Sequence, residues 1–337
     1  MDPTVWTFAR DRLVDGESVF LAIVADHTRH SPGTTGAQFA VALDGTTAGT
    51  IGGGIMEADV LTMAARVLHG DSSHTYPRQE RLTHRRKAPD GASPSGLICA
   101  GHQTNLYALL RPERDLPTVQ EITARITTDQ PGLLTLSPEG LTLDTTDLPP
   151  RSTPTTLHPG PPFRFQASLQ NWKRAAIIGG GHCGLALSRV LRHLGYTVTV
   201  FETRREVFTF QENEHAHHRI VVDDFSEAGP MITLPAWTHV IVMTANLPSD
   251  VRGLLGTAEL PFPYIGVMGA PAKLQRIRAA LRDAGISDDA IAGIHAPIGL
   301  PMTSNTPEEI AISIAAQLLQ LREELFPFTR PPDPGND

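Results

Sequence analysis

Gly179-Gly180-Gly181-His182-Cys183-Gly184 carries glycines at the first, third and sixth positions of a G-x-G-x-x-G string. It follows the apolar run Ala175-Ala176-Ile177-Ile178 and opens a helix-like segment. That context gives the string its chemistry. Glycines permit a tight turn and a close backbone approach, and a helix N-terminus offers free N–H groups and positive dipole to a phosphate. Glu202 ends the next strand, 23 residues after Gly179. An acidic residue there accepts from a ribose hydroxyl in dinucleotide-binding folds. Arg204 and Arg205, just beyond, suit a phosphate instead. Two ligand classes stay open on these residues, a dinucleotide and another phosphate-bearing molecule.

Gly52-Gly53-Gly54 stands at a second loop-to-helix junction. Three consecutive glycines are costly to order, so something must approach that backbone closely. Glu57 falls in the first helical turn, where it either complements the helix dipole or contacts a ligand. Cys99-Ala100-Gly101-His102 lies in a strand break. Cys99 reads as a nucleophile or sulfur carrier, or as a small buried residue, and His102 is its neighbouring acid–base candidate. Cys183 reads as helix packing, although a helix N-terminus lowers a thiol pKa. His215, His217 and His218 lack Cys or carboxylate at ligand spacing, so they read as a solvated loop and no metal site is expected. Arg85-Arg86-Lys87 reads as a solvated basic loop.

The elements that must position these groups follow from periodicity and turn chemistry. Residues 5–15 read as a helix, and residues 18–25, 38–43 and 46–51 as strands, with Asp44-Gly45 as a hairpin turn. Ile55, Met56, Val60, Ala64, Val67 and Leu68 make one apolar helical stripe that stops at Gly70. Residues 97–100 and 105–110 read as strands interrupted by Gly101. The first block, residues 1–110, is therefore a small α+β domain. Residues 111–170 read as an intermediate segment, with a hairpin at 133–143 around Ser137-Pro138-Glu139-Gly140, ending in a Pro-rich inter-domain linker at 149–162. Residues 171–326 alternate strand and helix, with strands at 175–178, 197–201, 219–222, 239–243 and 264–267. That alternation means a parallel sheet covered on both faces. Thr306-Pro307-Glu308-Glu309 is a capping box that starts the last helix. Residues 327–337 read as a disordered tail. The fold class is α/β, an α+β domain followed by a Rossmann-like doubly wound sheet.

The 337 residues carry 28 Lys and Arg against 36 Asp and Glu, a net charge of −8. A nucleic-acid role needs a concentrated positive field and is not expected. No apolar run reaches the roughly 18 residues of a membrane span, and residues 1–15 lack the pattern of a signal peptide. Two cysteines exclude a disulfide scaffold and favour a cytoplasmic location.

Together these pieces resemble the XdhC/CoxI family, accessory proteins that bind the molybdenum cofactor and help sulfurate and insert it into xanthine dehydrogenase-type enzymes. The resemblance rests on His30-Ser31-Pro32 with Gly36, Ile51-Gly52-Gly53-Gly54 with Glu57, and Cys99-Ala100-Gly101. Further along it rests on the strand-to-loop stretch 178–182, Glu202-Thr203-Arg204, Tyr264-Ile265-Gly266 and His295-Ala296-Pro297-Ile298-Gly299-Leu300. It implies an N-terminal XdhC-type domain joined to a C-terminal Rossmann-like domain. It implies molybdenum cofactor (molybdopterin) as ligand, Cys99 as the reactive thiol, a molybdenum hydroxylase client, a cysteine desulfurase partner and a homodimer. The cofactor-binding candidates are then Gly52, Gly53, Gly54, Glu57, Gly179, Gly181, His182, Gly184, Glu202, Arg204, Gly269 and Lys273, with Cys99 and His102 as the catalytic pair. The family pattern differs here at Ala100 and His102, at Thr244-Ala245-Asn246, at Gly269-Ala270-Pro271-Ala272-Lys273 and at Pro301. The alternative function is a divergent NAD(P)-dependent oxidoreductase that uses the Rossmann-like domain.

Overall fold

The computed structural model describes residues 1–28, 31–84, 101–146, 155–303 and 305–321. The chain divides into two compact units between Asn171 and Trp172.

In the first unit the chain runs α1 (Pro3–Val14), β1 (Val19–His27), β2 (Gln38–Ala42), β3 (Thr47–Gly49), α2 (Gly54–Leu68), β4 (Arg78–His84) and β5 (Gly101–Leu110). It continues through α3 (Pro112–Thr127), β6 (Leu133–Ser137), β7 (Gly140–Asp144), β8 (Thr155–His158) and β9 (Arg164–Ser168). Asp2 caps α1 by accepting from the Thr4 N–H, and Pro3 presets the first turn. The first sheet has the order β3-β2-β1-β5-β4, with antiparallel neighbours. β1 sits at its centre and is apolar on both faces because both are covered. Val19, Leu21 and Ile23 pack with Val5, Trp6, Ala9 and Leu13 of α1 and with Val119 and Ile122 of α3. Phe20, Ala22 and Val24 pack with Val60, Ala64 and Val67 of α2. α2 is thereby anchored by its apolar stripe, and its N-terminus is fixed at one edge of the sheet.

β5 runs from Gly101 to Leu110 and takes in the expected strand at 105–110, while the expected strand at 97–100 lies outside the described residues. One expectation needs correction here. Residues 111–170, expected as an intermediate segment with its linker at 149–162, fold with the first unit in their described parts. α3 and a second antiparallel sheet, β7-β6-β9-β8, bury Leu134, Leu136, Phe165 and Ala167 in the same core as α1. Residues 149–154 of the expected Pro-rich linker and the tail 327–337 lie outside the described residues.

In the second unit the order is β10 (Arg174–Ile178), α4 (His182–His193), β11 (Thr197–Glu202), α5 (Phe208–Gln211), β12 (His218–Val221), α6 (Ala228–Met231) and β13 (Thr238–Val242). α7 (Leu247–Leu255), β14 (Tyr264–Val267), α8 (Pro271–Asp283), α9 (Asp288–Ala292), β15 (Ile294–His295) and α10 (Pro307–Gln320) complete it. All six strands are parallel in the order β12-β11-β10-β13-β14-β15. This is the doubly wound Rossmann order, and it reverses between β10 and β13, where such sheets open a crevice at their carboxyl ends. Ala176 and Ile178 face one core, Ala175 and Ile177 the other, which is why β10 reads as an uninterrupted apolar run. The capping box on α10 forms as expected, Thr306 and Glu309 each bonding the other's backbone N–H. α5, α6, α7, α9 and β15 are additions to the sequence reading.

Among the described residues no helix is long and apolar enough to cross a membrane. None of their His, Cys, Asp and Glu side chains gather in a group of three that would hold a metal ion.

His239 on β13 is a core residue of this sheet. Its Nδ1 donates to the Arg174 carbonyl at 3.0 Å, and burial pushes its pKa down from 6.5 to about 4. The unfolded chain therefore binds a proton that the native one refuses between those values. Stability is complete above pH 6.5 and falls by about 3 kcal/mol as the pH drops to 4. Urea midpoints measured across that range should show this slope, and His239→Gln should flatten it. An unchanged profile in the variant would assign the acid sensitivity elsewhere.

Candidate functional site

The chemistry-bearing residues of the second unit converge at the carboxyl ends of β10, β11, β13 and β14. Gly179 follows β10 with φ +117°, a conformation that favours glycine, and a Cβ there would meet the Met243 carbonyl oxygen at 2.5 Å. A Cβ on Gly184 would meet the Gly179 carbonyl oxygen at 2.4 Å, so this glycine lets α4 pack directly on the loop. Gly181 is the exception. Its backbone is extended and a Cβ there would meet nothing within 4 Å. The first and sixth positions are thus glycine for packing, while the third opens on free space at the start of α4. The first N–H groups of α4 have no acceptor within the helix. Residues of this shape fit a phosphate group: the cradle is formed, and only the position that would lie against the ligand is empty of protein.

Glu202 braces this loop. Its Oε2 accepts from the Gly180 N–H at 3.0 Å, and its Oε1 from the Thr203 and Arg204 N–H groups at 3.0 and 3.2 Å. The Arg204 guanidinium lies 3.3 Å from Oε1. Burial pushes the Glu202 pKa up, but the Arg204 guanidinium and the three N–H donors outweigh it and hold the carboxyl below its usual range. Thr209 on α5 donates to the Gly180 carbonyl at 2.6 Å and fixes the loop from its other side. His182 is exposed at the first position of α4.

The third side of the crevice holds a pair that the sequence reading missed. Asp250 on α7 is fully buried. Its Oδ1 accepts from the Thr244 N–H and hydroxyl at 2.9 and 2.7 Å, and its Oδ2 forms an ion pair with Lys273. Lys273 also donates to the Met268 carbonyl at 3.2 Å, with its stem folded over Gly269. Gly269 and Lys273 therefore form part of the wall. Cys183 packs into the core beside α10, where burial and the charge of Glu308 push its thiol up. It is a packing residue, not an activated thiol.

In the first unit the three glycines 52, 53 and 54 have φ of +119°, +75° and +64°. All three thus lie where glycine is favoured. Gly52 lies against Pro32 and Gly33, where a Cβ would come within 2.6 Å of the Gly33 nitrogen. Glu57 turns back onto the loop, and its Oε1 accepts from the Thr50 hydroxyl, the Ile51 N–H and the Gly53 N–H at 2.6, 3.0 and 2.9 Å. Burial pushes its pKa up, but these donors outweigh it and the carboxyl stays below its ordinary value.

Gln103, which the sequence reading also missed, joins the two loops. It is fully buried. Its carbonyl accepts from the Ser31 hydroxyl and Gly33 N–H, and its amide donates to the Ile51 carbonyl and Asn105. His102, half-buried, precedes it on β5; its N–H donates to the Thr28 hydroxyl and its carbonyl accepts from the Thr28 N–H. The structure thus brings Gly52, Gly53, Gly54, Glu57, the Ser31–Gly33 turn and the start of β5 to one rim. Cys99, His30 and the Arg85-Arg86-Lys87 stretch lie outside the described residues.

A family model described as the XdhC Rossmann domain matches residues 176–318, and that of the XdhC and CoxI family matches residues 13–77. The chain is similar to the uncharacterized protein YqeB of Escherichia coli (strain K12), with 24% identity over 296 residues, covering 87% of this chain and 41% of that protein. It therefore spans about two fifths of the length of that curated relative. It is also similar to a crystal structure described as a xanthine dehydrogenase from Bacillus halodurans. The TM-score is 0.69 at 21% identity, over 97% of this chain and 98% of that one. That likeness shows a shared fold.

Proposed function

This chain belongs to the XdhC and CoxI family, and from that premise we propose that it is an accessory protein for a xanthine dehydrogenase-type molybdoenzyme. It binds molybdenum cofactor and assists its sulfuration and insertion. The observation that carries this reading is the glycine cradle at 179–184, whose glycines are all closely packed except Gly181. Molybdopterin ends in a phosphate, and the free N–H groups at the start of α4 are the acceptor-seeking groups that phosphate needs. Bound there, the group supplies the molybdenum and dithiolene chemistry. The chain's part is to hold and shield it.

Cys99 is the proposed reactive thiol, with His102 beside it in sequence. The proposed partners are a molybdenum hydroxylase client and a cysteine desulfurase, in a cytoplasmic homodimer. Gly52, Gly53, Gly54 and Glu57 form the second proposed contact region. A second reading, an NAD(P)-dependent oxidoreductase, is favoured by the doubly wound strand order and the G-x-G-x-x-G geometry.

Side-by-side titration of the purified chain with molybdopterin and with NAD or NADP separates the two. We expect saturable molybdopterin binding that weakens in Cys99→Ser. Tight NAD binding without molybdopterin binding would sink the accessory role.

A further inference from the structure

The carboxylate at the end of the second strand of a doubly wound sheet is the usual acceptor for a ribose hydroxyl. Glu202 occupies that place, yet both of its oxygens are engaged by its own loop and by Arg204. A carboxylate offers about four acceptor sites. Here Gly180, Thr203 and Arg204 donate three backbone N–H groups and the Arg204 Nε donates a fourth bond. A terminal Arg204 nitrogen lies 3.5 Å from Oε2. Only 1% of the residue is exposed, so a ribose has no path to the carboxylate. The first unit repeats the device: Glu57 accepts from the Gly53 N–H and braces the Gly52–Gly54 turn in the same way. In both loops the glutamate serves the backbone.

We propose that Glu202 is a positioning residue that holds the 179–184 loop in its cradle shape, and that this unit grips a phosphate ester without reading any ribose beyond it. Arg204 supports the assignment, because its guanidinium is tied to Glu202 rather than held ready for a ribose phosphate. A phosphate monoester such as that of molybdopterin meets every contact the loop offers, and a nucleoside adds none at this carboxylate. This rests on the loop being the phosphate cradle proposed above.

The test is a cycle between one protein group and one ligand group. ADP, 2′-deoxy-ADP and molybdopterin are titrated into the full chain, wild type and Glu202→Gln. We expect ADP and 2′-deoxy-ADP to bind the wild type within twofold of each other, and Glu202→Gln to weaken both by the same factor. Molybdopterin binding with no binding of either nucleotide also supports the proposal. A tenfold or greater loss on removing the 2′-hydroxyl, abolished in Glu202→Gln, overturns it and leaves the phosphate cradle standing. Failure of all three ligands to bind the folded wild type removes the cradle and the proposal together. The wild-type comparison needs no variant, so a poorly folded Glu202→Gln does not blunt it.

Discussion

Lys273→Met should lower the unfolding free energy of the second unit by about 3–5 kcal/mol, while Asp250→Asn should cost only about 1–2. The asymmetry follows from where the two charges sit. The Asp250 side chain is fully buried, whereas 28% of the Lys273 side chain is exposed. Removing the ammonium strands an ionised carboxylate in the protein interior with only the two Thr244 donors as compensation. Removing the carboxylate charge instead leaves an amide oxygen for Thr244, and the lysine can turn its head to water. For a unit of about 150 residues the larger loss corresponds to a fall in Tm of roughly 6–20 °C. Urea denaturation of the two variants beside the wild type measures both numbers. Equal costs would mean that the pair is solvated, and that Lys273 is free to serve a ligand rather than to hold α7 and α8 at the crevice.

That pair also shows what the sequence conceals. Lys273 was visible only through the family resemblance, whose pattern keeps Gly269 and Lys273, and so read as a ligand contact. Its partner lies 23 residues earlier on α7, a nine-residue helix too short to announce itself by periodicity. By contrast, β10, β11, β13 and β14 were legible because strands covered on both faces must be apolar throughout. α10 was legible because its capping box is a local signal.

In the first unit the same logic failed in two places. α3 carries Pro117 inside its span, which disguises Val119 and Ile122 as part of an irregular segment. β8 then fell within the expected linker, although Leu157 packs against the same core as α1. On β5, Gln103, Asn105 and Tyr107 alternate as a polar face would, yet all three are buried and bonded in a row. What makes that face an interior is the loop pair Ser31–Gly33 and Ile51–Gly53, which contacts it from more than 50 residues away. No local pattern reports such a cover. The glutamates tell a related story. Both stand next to their glycine loops in the sequence, but only geometry shows that each accepts from the backbone of its own loop.

Two alanine substitutions three residues apart should behave in opposite ways. Gly184→Ala should destabilise the second unit by about 2–3 kcal/mol, because the new methyl falls 2.4 Å from the Gly179 carbonyl oxygen. Both atoms belong to backbone that is held elsewhere, α4 by Leu187 and Leu191 in the core and the loop by Glu202 and Thr209. Relief requires α4 to move off β10. Gly181→Ala meets no such obstacle, since its φ of −73° suits any residue and nothing lies within 4 Å of the new methyl. Its stability should fall by no more than about 1 kcal/mol, the cost of alanine at a helix N-cap. If a phosphate does occupy the cradle, the methyl intrudes where the ligand must touch backbone, and affinity should fall at least tenfold. Thermal melts paired with molybdopterin titrations of the two variants measure both effects. A Gly181→Ala protein that binds as tightly as wild type would place the phosphate elsewhere. Should Gly184→Ala melt with wild type, the close packing of α4 on the loop would not be the reason for a glycine there.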